Sequence, residues 1–192
     1  MRFLYEPLNP PFQIPDSWTW VRLNEISTIV GGGTPKTEIQ DYWDGNIPWV
    51  TPADMKNIRG KYIGGGSRNI TELGLHNSSA QLLPIGSIVY SSRAPIGYIA
   101  ITTNRLSTNQ GFRSVVPYSS IYVEYLYYAL KSRLADIKSR ATGTTFLEIS
   151  GTELGKTFVP LPPEKEQNRI VVLVDKLFSL IEQLEKNINK PL

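Results

Sequence analysis

Apolar residues recur at alternating steps of four and three along the C-terminal part of the chain. This spacing is typical of the heptad seam of a coiled-coil helix, and it predicts a dimerisation surface made of Ile170, Val174, Leu177, Ile181, Leu184 and Ile188. A helix over residues 163–192 would be roughly 40 Å long at ~1.5 Å per residue, which exceeds the width of a small domain. The pattern therefore favours packing on a partner helix over folding back along its own domain.

Short β-branched and aromatic runs, separated by turn residues, occupy most of the remaining chain and predict strands. The segment from Trp18 to Leu23 alternates as a half-buried strand does. Further strands are predicted within 85–90, 97–102, 111–116 and 157–161.

Helical spacing of apolar residues between the last two of these strands predicts a single helix from about Ser120 to Arg140. Short helical turns are expected to begin at Asp54 and at Thr71. The order of elements predicts an α+β fold. A twisted mixed sheet with short helices over 1–162 precedes the long helix over 163–192.

Composition excludes several kinds of chemistry. The 192 residues include no Cys and one His, His76, so disulfides, thiol nucleophiles and cysteine-ligated zinc are removed and a His-based triad is disfavoured. No apolar run approaches the ~18 residues of a membrane span, and the first residues lack the apolar stretch of a secretion signal. We expect a soluble, cytoplasmic protein.

The small formal charge of +3 conceals an uneven distribution. Residues 1–55 carry −4, whereas residues 56–140 carry eleven basic and three acidic side chains, a net +8. Lys and Arg concentrated in this way suit a surface that faces a polyanion, because they replace counterions condensed on phosphate. A solvated surface that happens to be basic is an equal alternative.

Two short sequence strings resemble catalytic motifs, so an enzymatic function is an alternative to a binding function. Asn9-Pro10-Pro11-Phe12 resembles the tetrad with which adenine N6 methyltransferases grip the target amino group, but the eight residues before it cannot form the methyl-donor domain. Asp136-Ile137-Lys138 resembles the carboxylate–lysine end of a nuclease site, without a convincing upstream carboxylate. We interpret the first as an extended arm and the second as surface charge, and expect no catalytic or metal site.

Polar residues that can contact DNA lie in the loops between predicted strands. Arg93 follows one strand, and Asn109, Gln110 and Arg113 lie at the next strand junction. Arg can bind guanine edges, and Asn or Gln can bind adenine edges, through paired hydrogen bonds. The alternative is ordinary turn chemistry for the amides and a surface role for the arginines.

Two further loops combine glycine with hydroxyl groups, and the first of them also contains Lys36. The segment from Gly31 to Thr37 resembles a phosphate-binding loop but lacks P-loop spacing, so a plain turn is an equal alternative. The loop 142–145 fits a phosphate contact or a helix cap equally well. The complete set of candidate DNA-binding residues is Lys36, Arg68, Arg93, Asn109, Gln110, Arg113 and Thr144.

The order of short strings along the chain carries a resemblance to a known family. The strings are Ile14 to Leu23, Gly32 to Pro35, Tyr42-Trp43, Ile47 to Val50, Arg93 with Ile96-Gly97, Asn109 to Phe112, Thr142 to Thr144, Pro160 to Pro163 and Glu166-Gln167. In this order they resemble the specificity subunit of type I restriction-modification systems. The resemblance spans the chain from Ile14 onward.

The resemblance implies a DNA target recognition domain over 1–162 and one spacer helix over 163–192. Such a subunit has no catalytic centre and needs no cofactor. It reads double-stranded DNA, while methyltransferase subunits bind S-adenosylmethionine and restriction-translocase subunits join them.

Family members usually contain two such modules with antiparallel helices, so a homodimer through the C-terminal helix would restore that geometry for a single module. A protein-interaction scaffold without a DNA role is the remaining alternative.

Overall fold

The computed structural model describes residues 10–56, 58–93 and 95–188. Its strands, in chain order, are β1 Thr19–Arg22, β2 Ser27–Gly31, β3 Trp43–Val50, β4 Tyr62–Ile63, β5 Arg68–Ile70, β6 Ile88–Tyr90, β7 Ile99–Thr102, β8 Ser107–Thr108, β9 Arg113–Pro117 and β10 Phe158–Leu161. Its α-helices are α1 Leu23–Ile26, α2 Pro52–Met55, α3 Glu72–His76, α4 Val123–Ser132, α5 Leu134–Ser139, α6 Gly151–Gly155 and α7 Glu164–Ile188. A 3₁₀ turn covers Gln40–Tyr42. This mixture confirms the predicted α+β class.

The described strands form three sheets, two of them mixed. The largest runs in the order β2-β9-β6-β7-β4 and is antiparallel except where β7 pairs with β4. The second, β5-β3-β8, contains one antiparallel and one parallel pair. The strands β1 and β10 form an antiparallel ribbon, which joins the start of the domain to the strand just before α7.

The main core lies between the largest sheet and the helices α4 and α5. Leu126, Leu130 and Ile137 of these helices are fully buried in one apolar cluster with Ile88 of β6 and Val115 of β9. Each fully buried aliphatic side chain contributes about 1.5–3 kcal/mol relative to exposure. This cluster therefore holds rigid the strands from whose ends the candidate binding loops emerge.

Each predicted strand is present, with its ends displaced by at most three residues. The strands β2, β3, β4, β5 and β8 were not predicted. In β3, Asp44 has a positive φ of 60° and the register shifts between Trp43 and Ile47. Such a bulge interrupts the alternation of apolar and polar residues from which a strand is read.

The predicted single helix over Ser120 to Arg140 is wrong in two respects. The helix α4 begins only at Val123, and it ends at Ser132, because the next residue, Arg133, has φ −93° and ψ 6° and separates it from α5. The second helix, α5, brings Leu134 against Gly97, where a side chain would overlap the leucine. The sequence alone does not show this long-range contact, which accompanies the break.

The predicted helical turns are both present. Thr71 caps α3 by accepting a hydrogen bond from the Gly74 amide. The other turn, α2, begins at Pro52 instead of Asp54, because Asp54 reaches back to the amide and hydroxyl of Thr51 and closes a capping box.

The first half of α7 packs on the domain. Gln167 and Val171 are buried there, and the Gln167 side chain accepts from the Tyr122 amide and donates to the Pro162 carbonyl. One turn further on, the Asp175 carboxylate accepts from Lys61 Nζ, at 2.6 and 2.7 Å, and from the Tyr128 hydroxyl. These contacts fix where α7 leaves the domain.

None of the helices in the described ranges combines the length and apolar character needed to cross a bilayer.

Candidate nucleic-acid interface

The segment 91–93, just after β6, connects two loops. The Ser92 amide donates to the Gly111 carbonyl at 2.8 Å, and the Ile149 amide donates to the Ser92 carbonyl at 3.0 Å. Arg93 also forms an isolated β-bridge with Glu148. The loop after β8 and the loop before α6 are therefore held on either side of Arg93 by backbone hydrogen bonds, so the predicted loops do converge.

Arg93, Arg113 and Glu148 form an ionic cluster at this convergence. The Arg113 guanidinium donates to Glu148 Oε1 at 2.8 Å and also to the carbonyls of Gln110 and Phe112. Arg93 Nη1 lies 3.7 Å from Glu148 Oε2, which is an ion pair but too long for a hydrogen bond. The two arginines are therefore unequal, because the Arg113 side chain makes three hydrogen bonds and the Arg93 side chain makes none to the described residues.

An open cavity of about 550 Å³ lies beside the cluster, lined by Arg93, Thr144, Thr145, Phe146 and Glu148. Its wall is a short loop closed by two hydrogen bonds between the backbones of Thr142 and Glu148, at 3.0 and 2.8 Å. Phe146 is 70% exposed at the rim. A concave site with a cation, hydroxyl groups and an aromatic ring has the composition that nucleic-acid contacts require.

Asn109 and Gln110 differ in their availability. The Asn109 side-chain oxygen accepts from the Gly111 amide at 2.9 Å, which fixes the turn into β9. Gln110 is exposed, and its side-chain oxygen accepts from the Thr34 hydroxyl. Gln110 is therefore the better placed of the two to contact a ligand.

The glycine-rich loop at 31–33 has a packing role. A Cβ on Gly32 would overlap the backbone of Asn109, and one on Gly33 would overlap Ala80. The Gly33 amide donates to the Thr108 carbonyl at 2.8 Å, so it is not free to bind phosphate. Close backbone approach thus accounts for these glycines, in favour of the plain-turn alternative.

Lys36 and Arg68 both contact Trp43. The Arg68 guanidinium stacks over the Trp43 ring at 3.6 Å from its centroid, and the indole N–H donates to the Lys36 carbonyl at 3.2 Å. Both cationic side chains belong to exposed residues. This second basic group is linked to the first through the glycine-rich loop and the contact between Thr34 and Gln110.

Much of the positive charge of segment 56–140 is paired within the chain. Lys61 binds Asp175, the two arginines of the cluster share Glu148, and Arg133 and Arg140 both contact Asp136. In the part of the chain that the structure describes, exposed basic residues without an ion pair include Lys56, Arg59, Arg105 and Lys138. The sequence count of +8 therefore overstates the charge available to an external polyanion.

The two carboxylates Asp54 and Asp175 have lowered pKa values. Burial by itself raises the pKa of each group, but hydrogen bonds outweigh it. Thr51 and Ser67 donate to Asp54, and Lys61 and Tyr128 donate to Asp175. Both carboxylates therefore stay ionised and hold loops or helix in place instead of acting as proton donors.

The catalytic alternatives gain no support. Asp136 is bound by two arginines, and Lys138 is exposed on α5. His76 is exposed at the end of α3. Of the Asn9-Pro10-Pro11-Phe12 string, Asn9 lies outside the described residues, and Phe12 packs edge-on against Trp20. In the described ranges, no group of three or more His, Cys, Asp or Glu could hold a metal ion.

Sequence reasoning missed Glu148 and Phe146. Both follow the loop 142–145, in which the sequence predicts Thr144 as a candidate DNA-binding residue. The available signal is that Phe146 and Leu147 are adjacent apolar residues within an otherwise polar loop. The pairing of Glu148 with Arg113, 35 residues away, has no local signature.

The residues of the predicted dimerisation seam are partly buried in the first half of α7 and exposed in the second half. Ile170 packs against the main core and Val174 is half-buried. The exposed fractions of Leu177, Ile181, Leu184 and Ile188 are 59, 49, 60 and 80%. The second half of the seam is therefore an uncovered apolar surface in the single chain.

Residues 15–192 match the family described as type I restriction modification DNA specificity domain, and the chain belongs to this family. The type I restriction enzyme MjaIX specificity subunit of Methanocaldococcus jannaschii is 41% identical over 91% of this chain and 41% of its own length. The EcoR124I/EcoR124II specificity subunit of Escherichia coli is 32% identical over 88% of this chain and 43% of its own length. The chain thus spans about two-fifths of these relatives.

Solved structures agree with the fold. The crystal structure of the HsdS subunit from Thermoanaerobacter tengcongensis superimposes with a TM-score of 0.72 over 94% of this chain and 42% of that chain, at 23% identity. A chain from a study of complex assembly and conformational transition of the type I R-M system gives a TM-score of 0.73 over 93% of this chain and 42% of that chain, at 24% identity. The family resemblance in the sequence is confirmed.

Proposed function

We propose that this chain is a non-catalytic DNA target recognition module of a type I restriction-modification complex, and that it binds double-stranded DNA sequence-specifically. The observation that carries the proposal is one open cavity lined by Arg93 and Thr144, whose Glu148 is bound by Arg113, in a chain of the DNA specificity family. Loops on a rigid sheet can present such groups to a groove without rearrangement.

The candidate residues differ in whether their polar groups are free to contact DNA. Arg93 and Gln110 read base edges, because their side chains are accessible and keep donors free. Lys36, Arg68 and Thr144 contact the phosphate backbone from exposed positions. Phosphate contacts set affinity and orientation, whereas base contacts set specificity. Asn109 and Arg113 act indirectly, because their polar groups hold the loop that presents Gln110.

The partners follow from the names of the relatives. In this proposal the chain docks methyltransferase subunits, which bind S-adenosylmethionine, and restriction-translocase subunits join the same complex. The chain itself takes no cofactor, and the complex acts on DNA in the cytoplasm.

A second copy of the chain covers the exposed half of the seam. The support for this is the apolar stripe of Leu177, Ile181, Leu184 and Ile188 at heptad spacing, half or more exposed in the single chain. Two modules joined through α7 would read a DNA site with two parts.

A selection experiment tests DNA recognition. The full chain, with its methyltransferase partner, is incubated with a library of random duplexes, and bound sequences are counted. We expect one enriched sequence, an affinity that falls with rising salt, and loss of enrichment at single positions in Arg93→Ala and Gln110→Ala. Binding without enrichment at any position would contradict sequence-specific recognition. Lys156→Ala removes an exposed lysine that pairs with Glu153 and is not a candidate DNA-binding residue, so it serves as the charge control.

A further inference from the structure

Glu148 is an unexpected residue at a surface that binds a polyanion. Its carboxylate lies between two arginines, with about a third of its side chain exposed, and it lines the cavity with Arg93. A phosphate bound to Arg93 here would come close to the Glu148 carboxylate and would be repelled by it. The part of the cavity next to Glu148 therefore disfavours the DNA backbone and accepts a group that offers both a hydrogen-bond acceptor and a donor.

Arg93 and Glu148, which both line the cavity, present complementary groups. Arg93 makes no side-chain hydrogen bond to the described residues, so its planar fork of donors is available. Glu148 Oε1 is occupied by Arg113, whereas Oε2 faces Arg93 at 3.7 Å. A donor fork and an acceptor oxygen thus lie side by side at the cavity wall.

A G·C base pair presents the matching pattern in the major groove. Guanine offers the acceptors O6 and N7, which arginine binds bidentately, and cytosine offers the N4 amino donor, which a carboxylate accepts. O6 and N4 are hydrogen-bonded to each other, about 3 Å apart, close to the separation of Arg93 Nη1 and Glu148 Oε2. A·T pairs instead place the amino donor on the purine and an acceptor and methyl group on the thymine.

The geometry points to Arg93 and Glu148 as a unit that reads one G·C pair of the recognised sequence, with Arg113 as its positioning residue. This inference rests on the proposed function and names the base pair that this part of the site selects. Arg113 fixes the carboxylate through its bond to Oε1, while its other donors are held by the carbonyls of Gln110 and Phe112. Arg93 remains free to bind guanine.

The test repeats the duplex selection with Arg93→Ala and Glu148→Gln in the full chain with its methyltransferase partner. The wild-type protein should enrich a sequence that contains at least one G·C pair. The preference for G·C at that position should fall about 5- to 150-fold in both variants, while the preferences at the other positions should not change. Glu148→Gln should also bind unrelated duplex more tightly, because a repulsive charge is removed. A purely structural role for Glu148 would weaken both kinds of binding.

Chemical substitution of the DNA gives a readout that does not depend on folding of the variants. Replacing the guanine of that pair by 7-deazaguanine removes the N7 acceptor and should weaken binding of the wild-type protein but not of Arg93→Ala. If Arg93→Ala does not fold, Arg93→Lys, which keeps the charge and loses the fork, takes its place. Glu72→Gln, at an exposed position on α3, is the matched control for Glu148→Gln.

The outcomes separate the two proposals. If both variants keep the wild-type base preference at every position of the enriched sequence, the inference is overturned and the proposal of DNA recognition stands. Loss of the G·C preference in Arg93→Ala alone would show that Glu148 does not read the pair, and would also overturn it. Absence of any enriched sequence with wild-type protein would overturn both the inference and the proposed function.

Discussion

The two halves of α7 carry the same heptad pattern but have different surroundings. In the first half, the seam residues Ile170 and Val174 are partly buried, their neighbours Gln167 and Val171 are 2 and 3% exposed, and Asp175 is bound to Lys61. In the second half, the seam residues from Leu177 onward are 49–80% exposed. The repeat is thus continuous in sequence, whereas its environment changes within one turn of helix.

This contrast shows that an apolar repeat specifies a helix with an apolar face, without specifying what covers that face. The last contacts with the domain are Asp175 with Tyr128 and the ring of Phe178, which stacks on Tyr128 with centroids 6.0 Å apart. From Leu180 to Ile188 the large apolar side chains of α7 are 46–80% exposed. The first half contributes to folding of the chain, and the second half is available for association.

Placing a charge in the first half should have the largest effect. Val171→Asp buries a carboxylate among apolar groups and should lower the free energy of unfolding by about 3 kcal/mol. Val172→Asp introduces the same charge one residue later, where the side chain is 61% exposed, and should change stability by about 0.5 kcal/mol or less. Urea denaturation of both variants makes the measurement. Equal losses would mean that both faces of this half are covered.

Charges in the second half should abolish dimerisation without unfolding the domain. Leu177→Asp with Ile181→Asp removes apolar burial worth about 1.5–3 kcal/mol per side chain, so the dimer dissociation constant should rise by more than about 100-fold. Light scattering over a concentration series reports the oligomeric state.

The matched control places two aspartates on the opposite side of the same stretch, in Ser179→Asp with Gln183→Asp, outside the heptad seam. This variant should remain dimeric. A wild-type chain that is monomeric at high concentration would contradict the proposed association, as would a dimer that survives the Leu177 and Ile181 substitutions.

The stabilisation that Asp175 provides, at the boundary between the two halves of α7, should depend on pH. The pKa of Asp175 is lowered in the folded protein because the hydrogen bonds from Lys61 and Tyr128 outweigh the effect of burial. Since the unfolded pKa is about 3.9, the resulting stabilisation is complete above that pH and is lost as the pH falls through the folded pKa. Asp175→Asn should cost about 1 kcal/mol at pH 7 and less at pH 3.

Urea denaturation at the two pH values measures this difference. Glu185→Gln, an exposed carboxylate further along α7, should show little effect at either pH. A cost of Asp175→Asn that is the same at pH 3 as at pH 7 would mean that ionisation of the carboxylate does not stabilise the contact.

Local patterns predicted the elements whose signals are local. Alternating and β-branched runs located β6, β7, β9 and β10, and heptad spacing located α7. The bulged strand β3 escaped prediction because Asp44 interrupts its alternation. The break between α4 and α5 escaped because it occurs where Leu134 packs on Gly97, 37 residues away, and no local propensity encodes that contact.

The candidate site was predicted in its parts more than in its arrangement. Residue type and loop position identified Arg93, Gln110 and Thr144 as possible ligands of DNA. They also ranked Arg113 equally with Arg93, although three hydrogen-bond acceptors hold the Arg113 guanidinium. Availability of a side chain depends on its neighbours in space, so a single sequence cannot rank chemically identical residues.

The sequence by itself determined the α+β class, the long C-terminal helix with its seam, and the family. These follow from periodicities of two and of 3.5 residues and from the order of short strings, all of which are one-dimensional properties. Only the tertiary structure decided which half of the seam is covered, which arginine is free, and that Glu148 lies between two cations. Those properties depend on burial and on pairing between distant residues, which arise only when the chain closes on itself.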